Sequence, residues 1–104
     1  MTDPRPIALG WMHPETEAPD WDMAQVRRLA SRLGYRLVWA PETGRIPLAD
    51  QVWKAGAEVV IAPSTAHFDL LTLNAVMRAV DVETVLPRLS FARWATKPPF
   101  ERHR

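Results

Sequence analysis

Two histidines with carboxylate and hydroxyl neighbours are the residues of this chain best suited to chemistry. The candidates are His13, Glu15, Ser64, Thr65, His67 and Asp69. Imidazole titrates near neutral pH, so either histidine could act as a general base or join a carboxylate in ligating a metal. However, the 54-residue spacing between the histidines matches no metal-binding motif. These positions are therefore a candidate ligand-binding crevice, and we predict no metal, no cofactor and no assigned catalytic residue.

Composition excludes several classes of protein. None of the 104 residues is a cysteine, which rules out thiol catalysis, disulfide bonds and cysteine-ligated metal centres. A hydrophobic fraction of 47% and a charged fraction of 24% are typical of one soluble globular domain. Uncharged apolar runs such as residues 59–62 are too short to cross a membrane, and Asp3 stands where a leader would be basic. We predict a cytoplasmic protein without membrane contact.

Charge divides the chain into two parts. Residues 1–86 carry eight Lys/Arg against eleven Asp/Glu, a net charge of −3, whereas residues 87–104 carry five against one, a net charge of +4. We predict an α/β domain over residues 1–86 and a basic, aromatic C-terminal arm over residues 87–104 that is partly disordered.

The arm allows two interpretations. Arg88, Arg93 and Lys97 could contact nucleic acid, with Phe91 and Trp94 stacked on bases. Alternatively, the two aromatic side chains close over the edge of the domain core, which we favour. Because the arm has few basic residues, it would make only a few phosphate contacts, and we expect any nucleic-acid binding through it to be weak.

Hydrophobic periodicity predicts alternating strands and helices. Apolar runs place strands at residues 7–12, 35–39, 59–62 and 82–86. Three helices lie between these strands: the first is capped by Asp20, and the second is short and begins near Pro47. The third is long, is capped by Ser64 or Thr65, and has apolar residues from Leu70 to Val80. Such alternation implies right-handed βαβ crossovers and a four-stranded, mostly parallel sheet with helices on both faces.

The five tryptophans divide between predicted core and predicted surface. Trp11, Trp39 and Trp53 fall in core elements, where an indole contributes a large apolar area. Trp21 and Trp94 flank loops, and if exposed they would mark a protein–protein contact patch.

The order of elements over residues 5–86 resembles the catalytic domain of the serine recombinases, the resolvase and invertase family. The segments most alike are residues 10–15, residues 29–35 and residues 57–68. The resemblance implies a resolvase-like or flavodoxin-like sheet of strand order 2-1-3-4. In such a sheet the chain reverses direction between the first and third strands, and ligands favour the crevice beyond their carboxyl ends, where His13 and His67 both fall.

The same resemblance implies a loss of activity. Active members of the family end the first strand in Tyr-x-Arg-x-Ser, whose serine attacks DNA phosphate and whose arginine stabilises the developing charge. On that alignment His13 replaces the arginine and Glu15 replaces the nucleophile. After the third strand, where the family carries an Asp-Arg pair followed by another arginine, this chain has Ala66 and His67, then Phe68 and Asp69. Without these groups phosphoryl transfer loses both its covalent route and its electrostatic stabilisation.

We therefore predict a non-catalytic, resolvase-like binding or regulatory module whose partner is another protein. Two alternatives stay open at this point. One is an enzyme or anion-binding protein that uses the His13 and His67 crevice, and the other is a weak nucleic-acid binder that uses the C-terminal arm.

Overall fold

The computed structural model describes residues 3–40 and 46–93, which form one five-stranded mixed sheet with three α-helices. The strands are β1 (Ile7–Gly10), β2 (Arg36–Trp39), β3 (Ala57–Ala62), β4 (Asp81–Thr84) and β5 (Leu89–Phe91). Their spatial order is β2-β1-β3-β4-β5. Parallel pairing joins β1 to β2 and to β3, and also joins β3 to β4. The α/β class is thus confirmed, and the first four strands follow the expected order.

The fifth strand corrects the prediction of four strands. β5 pairs antiparallel with β4, so part of the segment assigned to a C-terminal arm belongs to the sheet. Phe91 packs against the buried core, as the core-closure interpretation expected. The strand alternates apolar, polar and apolar residues, but three residues are too few for that period to be recognised in the sequence. Trp94 and Lys97 lie outside the described residues.

Helix α1 (Pro19–Leu33) begins two residues earlier than predicted. Its N-cap is Ala18, whose side chain cannot accept a hydrogen bond, so the predicted capping role of Asp20 is wrong. Pro19 opens the helix because its fixed φ suits the first turn. Asp20 and Asp22 lie in that first turn, where a carboxylate interacts favourably with the positive end of the helix. The helix ends at Gly34, which adopts φ of 84°.

The predicted long third helix is divided in two. Ser64 caps a single 3₁₀ turn over Thr65–His67, and Phe68 then returns to an extended conformation. Asp69 starts α3 (Leu70–Met77) by accepting a hydrogen bond from the Thr72 N–H at 2.7 Å. Two capping side chains so close together allow two separate helical starts, because each one satisfies its own free backbone N–H groups.

The core occupies both faces of the sheet. On β3 the side chains of Val59 and Ile61 join one buried cluster and that of Val60 joins the other, as the two-residue period of a strand requires. Helix α1 covers the first cluster, and α2 (Leu48–Ala55) with α3 covers the second. Within residues 3–40 and 46–93, no helix has the length and apolarity needed to cross a membrane.

Candidate functional site at the carboxyl edge of the sheet

Parallel pairing of β1 with β3 brings the two predicted histidines together. His13 lies in the loop that follows β1, and His67 lies in the 3₁₀ turn that follows β3. The backbone N–H of His13 donates to His67 Nδ1 at 2.9 Å. Just before it, the N–H of Trp11 donates to the carbonyl of Ile61 at 2.9 Å and so extends the pairing of the strands into the loops. The two histidines therefore lie together at the switch point of the sheet.

Both imidazole rings accept a backbone hydrogen bond at Nδ1. The N–H of Glu15 donates to His13 Nδ1 at 3.1 Å, in the same way that His13 donates to His67. A ring nitrogen that accepts an N–H carries no proton, so this geometry assigns both rings as neutral, with the proton on Nε2. The indole N–H of Trp11 donates to the His67 carbonyl at 3.0 Å and fixes the turn from its other side.

Asp22 adds a carboxylate that the sequence did not point to. Its Oδ2 lies 3.9 Å from His67 Nε2, and both side chains are about one-seventh exposed, at 15% and 14%. The hydroxyl of Thr16 donates to the same oxygen. Burial lowers the pKa of His67; Asp22 opposes this shift and the nearby His13 reinforces it. From the sequence, Asp22 could be recognised only as an acidic residue near the start of a helix. The neighbouring residues in the sequence do not show which loop that helix start will face.

The remaining predicted crevice residues serve mainly the backbone. Ser64 Oγ accepts from the Ala66 N–H at 3.2 Å, and the capping bond to Thr72 lowers the pKa of Asp69. Thr65 contributes its carbonyl, which accepts from the Phe68 N–H at 3.1 Å. Glu15 contributes its N–H and is otherwise exposed. In residues 3–40 and 46–93, neither imidazole ring shares a hydrogen bond with a hydroxyl or a carboxylate, so no nucleophile–base pair is formed.

His67 forms a wall between two clefts. The histidine cleft, of about 510 Å³, is lined by His13, His67 and Asp69 together with Trp11, Gln51 and Thr72. The Trp21 cleft, of about 300 Å³, is lined by Trp21, Asp22, Gln25 and His67 together with Pro63, Ser64, Val85 and Leu86. Neither described lining includes a lysine or an arginine, and each includes one aspartate. The described residues contain no group of three or more His, Asp or Glu side chains placed to hold a metal.

A larger groove lies between α2 and α3. The α2–α3 groove, of about 640 Å³, has apolar walls formed by Ala49, Val52, Trp53, Ala75, Ala79 and Val80, and it also meets Asp50, Arg78 and Arg93. Trp53 is 81% exposed, so its predicted place in the core is wrong. The buried stripe of α2 follows Leu48 and Val52, and the next residue along a helix projects about 100° away from that stripe. The groove was not predicted because Trp53 was placed in the core, whereas its outward direction follows from the phase of the helix.

The other tryptophans agree better with expectation. Trp21 is 62% exposed. Trp11 and Trp39 are half-buried and pack against the two core clusters.

The predicted nucleic-acid residues differ in their surroundings. The Arg88 guanidinium lies 2.7 Å from a Glu83 carboxylate oxygen and donates to the Leu89 carbonyl at 2.8 Å. Arg93 lines the α2–α3 groove, and its backbone N–H donates to Asp81 at 2.7 Å. Lys97 lies beyond the described residues.

Comparison with known proteins gives no relative. No protein-family model, no curated protein and no solved structure matches this chain. The resemblance to serine recombinases therefore stays a prediction.

Proposed function

We propose that this chain is a non-catalytic binding module that docks another protein in the α2–α3 groove. The observation that carries the proposal is the 81% exposure of Trp53 on the wall of that groove. Folding alone gives no reason to leave a large indole in water, whereas tryptophan is strongly enriched among the residues that dominate binding energy at protein interfaces. Insertion of an apolar partner side chain beside Trp53 would remove its ring from water.

The surroundings of Trp53 favour a protein partner over a small metabolite. The groove walls are built mostly of alanine and valine side chains, with Asp50, Arg78 and Arg93 around them. An apolar centre with charged residues nearby is the usual composition of a protein interface. Leu71, on the helix turn before Ala75, is also 81% exposed and extends the apolar surface along α3.

The absence of catalysis is supported by the bonds of the histidines. Nδ1 of each ring accepts a backbone N–H, and Nε2 of His67 faces Asp22. A general base needs a free lone pair within reach of the proton that it removes. In His67 the Nδ1 lone pair already holds the loop after β1 in place, so this ring acts as a structural link between loops.

The two alternative functions receive less support. An anionic substrate in the histidine cleft would meet the carboxylate of Asp69 with no lysine or arginine among the described lining residues. Nucleic-acid binding through Arg88 would require that side chain to leave Glu83, its partner at 2.7 Å. The proposal of a docking module does not depend on the resemblance to serine recombinases.

The test uses a photo-crosslinking residue in place of Asp50, an exposed residue of the groove lining that leaves Trp53 intact, and, as a matched control, in place of Trp21. Each full-length chain is irradiated in extract of the native cell, and the products are identified by mass spectrometry. We expect one defined protein to be crosslinked from position 50, and its yield to fall when Ala75→Glu places a charge in the groove. Crosslinking of that protein from position 21 alone, or no change on Ala75→Glu, would refute the proposal.

A further inference from the structure

We propose a second binding site in this protein: the Trp21 cleft takes a small organic ammonium ion. This cleft lies beside α1, and so on the face of the sheet opposite the α2–α3 groove. It is therefore independent of the docking function proposed above. Charge, aromatic surface and shape each support the assignment.

The charge of the cleft favours a cation. The described lining contains the Asp22 carboxylate and neither lysine nor arginine. Asp22 is only 15% exposed, and its two described side-chain neighbours are the Thr16 hydroxyl and the His67 ring. His67 is neutral while its Nδ1 accepts the His13 N–H, so it supplies no compensating positive charge. The positive end of α1 offsets part of the Asp22 charge, but a largely buried carboxylate without a cation among its described partners still attracts one, because its own hydration is reduced.

The remaining walls of the cleft suit an alkylated cation rather than a hydrated metal ion. Trp21 is 62% exposed and Leu86 is 74% exposed, and Pro63 and Val85 complete the apolar part. The face of an indole attracts an ammonium group through its quadrupole, and tryptophan is the strongest aromatic partner for this interaction. A bare divalent ion would instead need several oxygen ligands, and the side chains of the described lining offer one carboxylate, that of Asp22, beside the amide oxygen of Gln25 and the hydroxyl of Ser64, which already accepts the Ala66 N–H. The cleft volume of about 300 Å³ is at the small end of the range for ligand sites.

The test compares choline with its neutral isostere 3,3-dimethylbutan-1-ol, using the full chain and following the indole N–H signals by NMR. We expect choline to shift the Trp21 signal with saturation, and the isostere to bind roughly tenfold more weakly because it lacks the charge. Asp22→Asn keeps the shape of the side chain and should weaken choline binding about tenfold. Trp53→Phe lies outside the cleft and should leave choline binding unchanged.

Three results would overturn this proposal: equal affinity for choline and the isostere, unchanged affinity in Asp22→Asn, or no saturable shift of Trp21. If Asp22→Asn fails to fold, Trp21→Leu removes the aromatic wall without touching the Thr16 bond, and choline binding, now followed by titration calorimetry, should weaken about tenfold. A third arm with Nα-acetyl-lysine amide separates the two sources of an ammonium group. Tighter binding of this compound than of choline would identify a lysine side chain as the natural occupant. Loss of docking at Trp53 would not alter any of these results, so the two proposals fail independently.

Discussion

The imidazole of His67 accepts the backbone N–H of His13 at 2.9 Å, across 54 residues of chain. This bond joins the loop after β1 to the turn after β3 at the switch point of the sheet. It exists only while Nδ1 is unprotonated, because a protonated ring nitrogen cannot accept a hydrogen bond. The edge of the sheet where ligands are expected is therefore held together by an imidazole whose pKa burial lowers below its ordinary value.

The first prediction concerns the pH dependence of stability. Burial lowers the pKa of folded His67 below its ordinary value of 6.5, so below pH 6.5 the unfolded chain binds more protons than the folded chain. The contribution of His67 to stability is thus fully present above pH 6.5 and is lost as pH falls through the folded pKa. Urea unfolding at pH 7.5, 6.0 and 5.0 should show a falling free energy of unfolding.

The matched control for that experiment is His67→Asn. Its side-chain oxygen can still accept the His13 N–H but does not titrate, so the decline between pH 7.5 and 5.0 should become smaller. Two groups face His67 in the described structure, Asp22 and His13, and they act on its pKa in opposite directions. An equally steep decline in wild type and His67→Asn would show that another group is responsible.

The second prediction concerns Gly10, where β1 passes the ring of Trp39. A Cβ at this position would lie 2.7 Å from Trp39 Cε3, closer than any normal contact. Gly10→Ala should therefore destabilise the protein by about 1–3 kcal/mol, which is the usual cost of overpacking. Adding Trp39→Leu removes the ring and should reduce the additional cost of Gly10→Ala in a double-mutant cycle.

Gly34 provides the contrasting case. A Cβ there meets open space, but the residue adopts φ of 84° at the end of α1. Gly34→Ala should cost roughly 1–2 kcal/mol from the left-handed backbone alone. Trp39→Leu should leave the cost of Gly34→Ala unchanged. Energetic coupling between Gly34 and Trp39 would contradict the steric explanation for Gly10.

The third prediction separates binding surface from core. Trp53→Ser should change the free energy of unfolding by no more than about 0.5 kcal/mol, because the side chain is 81% exposed. Ile61→Ala, at a fully buried position of β3, should cost roughly 2–5 kcal/mol. Urea denaturation measures both values. A large loss of stability in Trp53→Ser would mean that the indole is part of the core after all.

The fourth prediction concerns the attachment of β5. Arg88 pairs with Glu83, and Glu83 lies opposite Ser90 in the β4–β5 ladder. Arg88→Ala should speed amide hydrogen exchange in β5 while lowering global stability by at most about 1 kcal/mol, since the pair is partly exposed and screened by salt. Unchanged exchange at Ser90 and Phe91 would show that the ladder is stable without the ion pair.

The sequence was most informative where the periodicity of strands and helices is strong. The apolar run from Val59 to Ala62 lies within a strand of the sheet interior, and the parallel order of the first four strands brought His13 and His67 into contact. Caps and short elements were harder to predict. Ala18 starts a helix without any capping side chain, and Asp69 interrupts what reads as one continuous helix.

The candidate sites were harder to predict than the sheet, because they depend on the rotation of each helix about its axis and on contacts between residues distant in the sequence. Asp22 reaches His67 only through the packing of α1, and the exposure of Trp53 follows from the rotation of α2 about its axis. Trp53 was assigned to the core because it falls in a predicted core element and an indole contributes a large apolar area, not because of the periodicity of the helix. A three-dimensional arrangement was needed to show that its ring faces outward.

The most direct test of the docking account is the dissociation constant of the crosslinked partner, measured by titration calorimetry against wild type, Trp53→Ser and Trp21→Ser. We predict that Trp53→Ser weakens binding at least roughly tenfold, as removal of a central interface tryptophan does, while Trp21→Ser binds as wild type. Equal affinity of wild type and Trp53→Ser would contradict the docking of a partner in the α2–α3 groove.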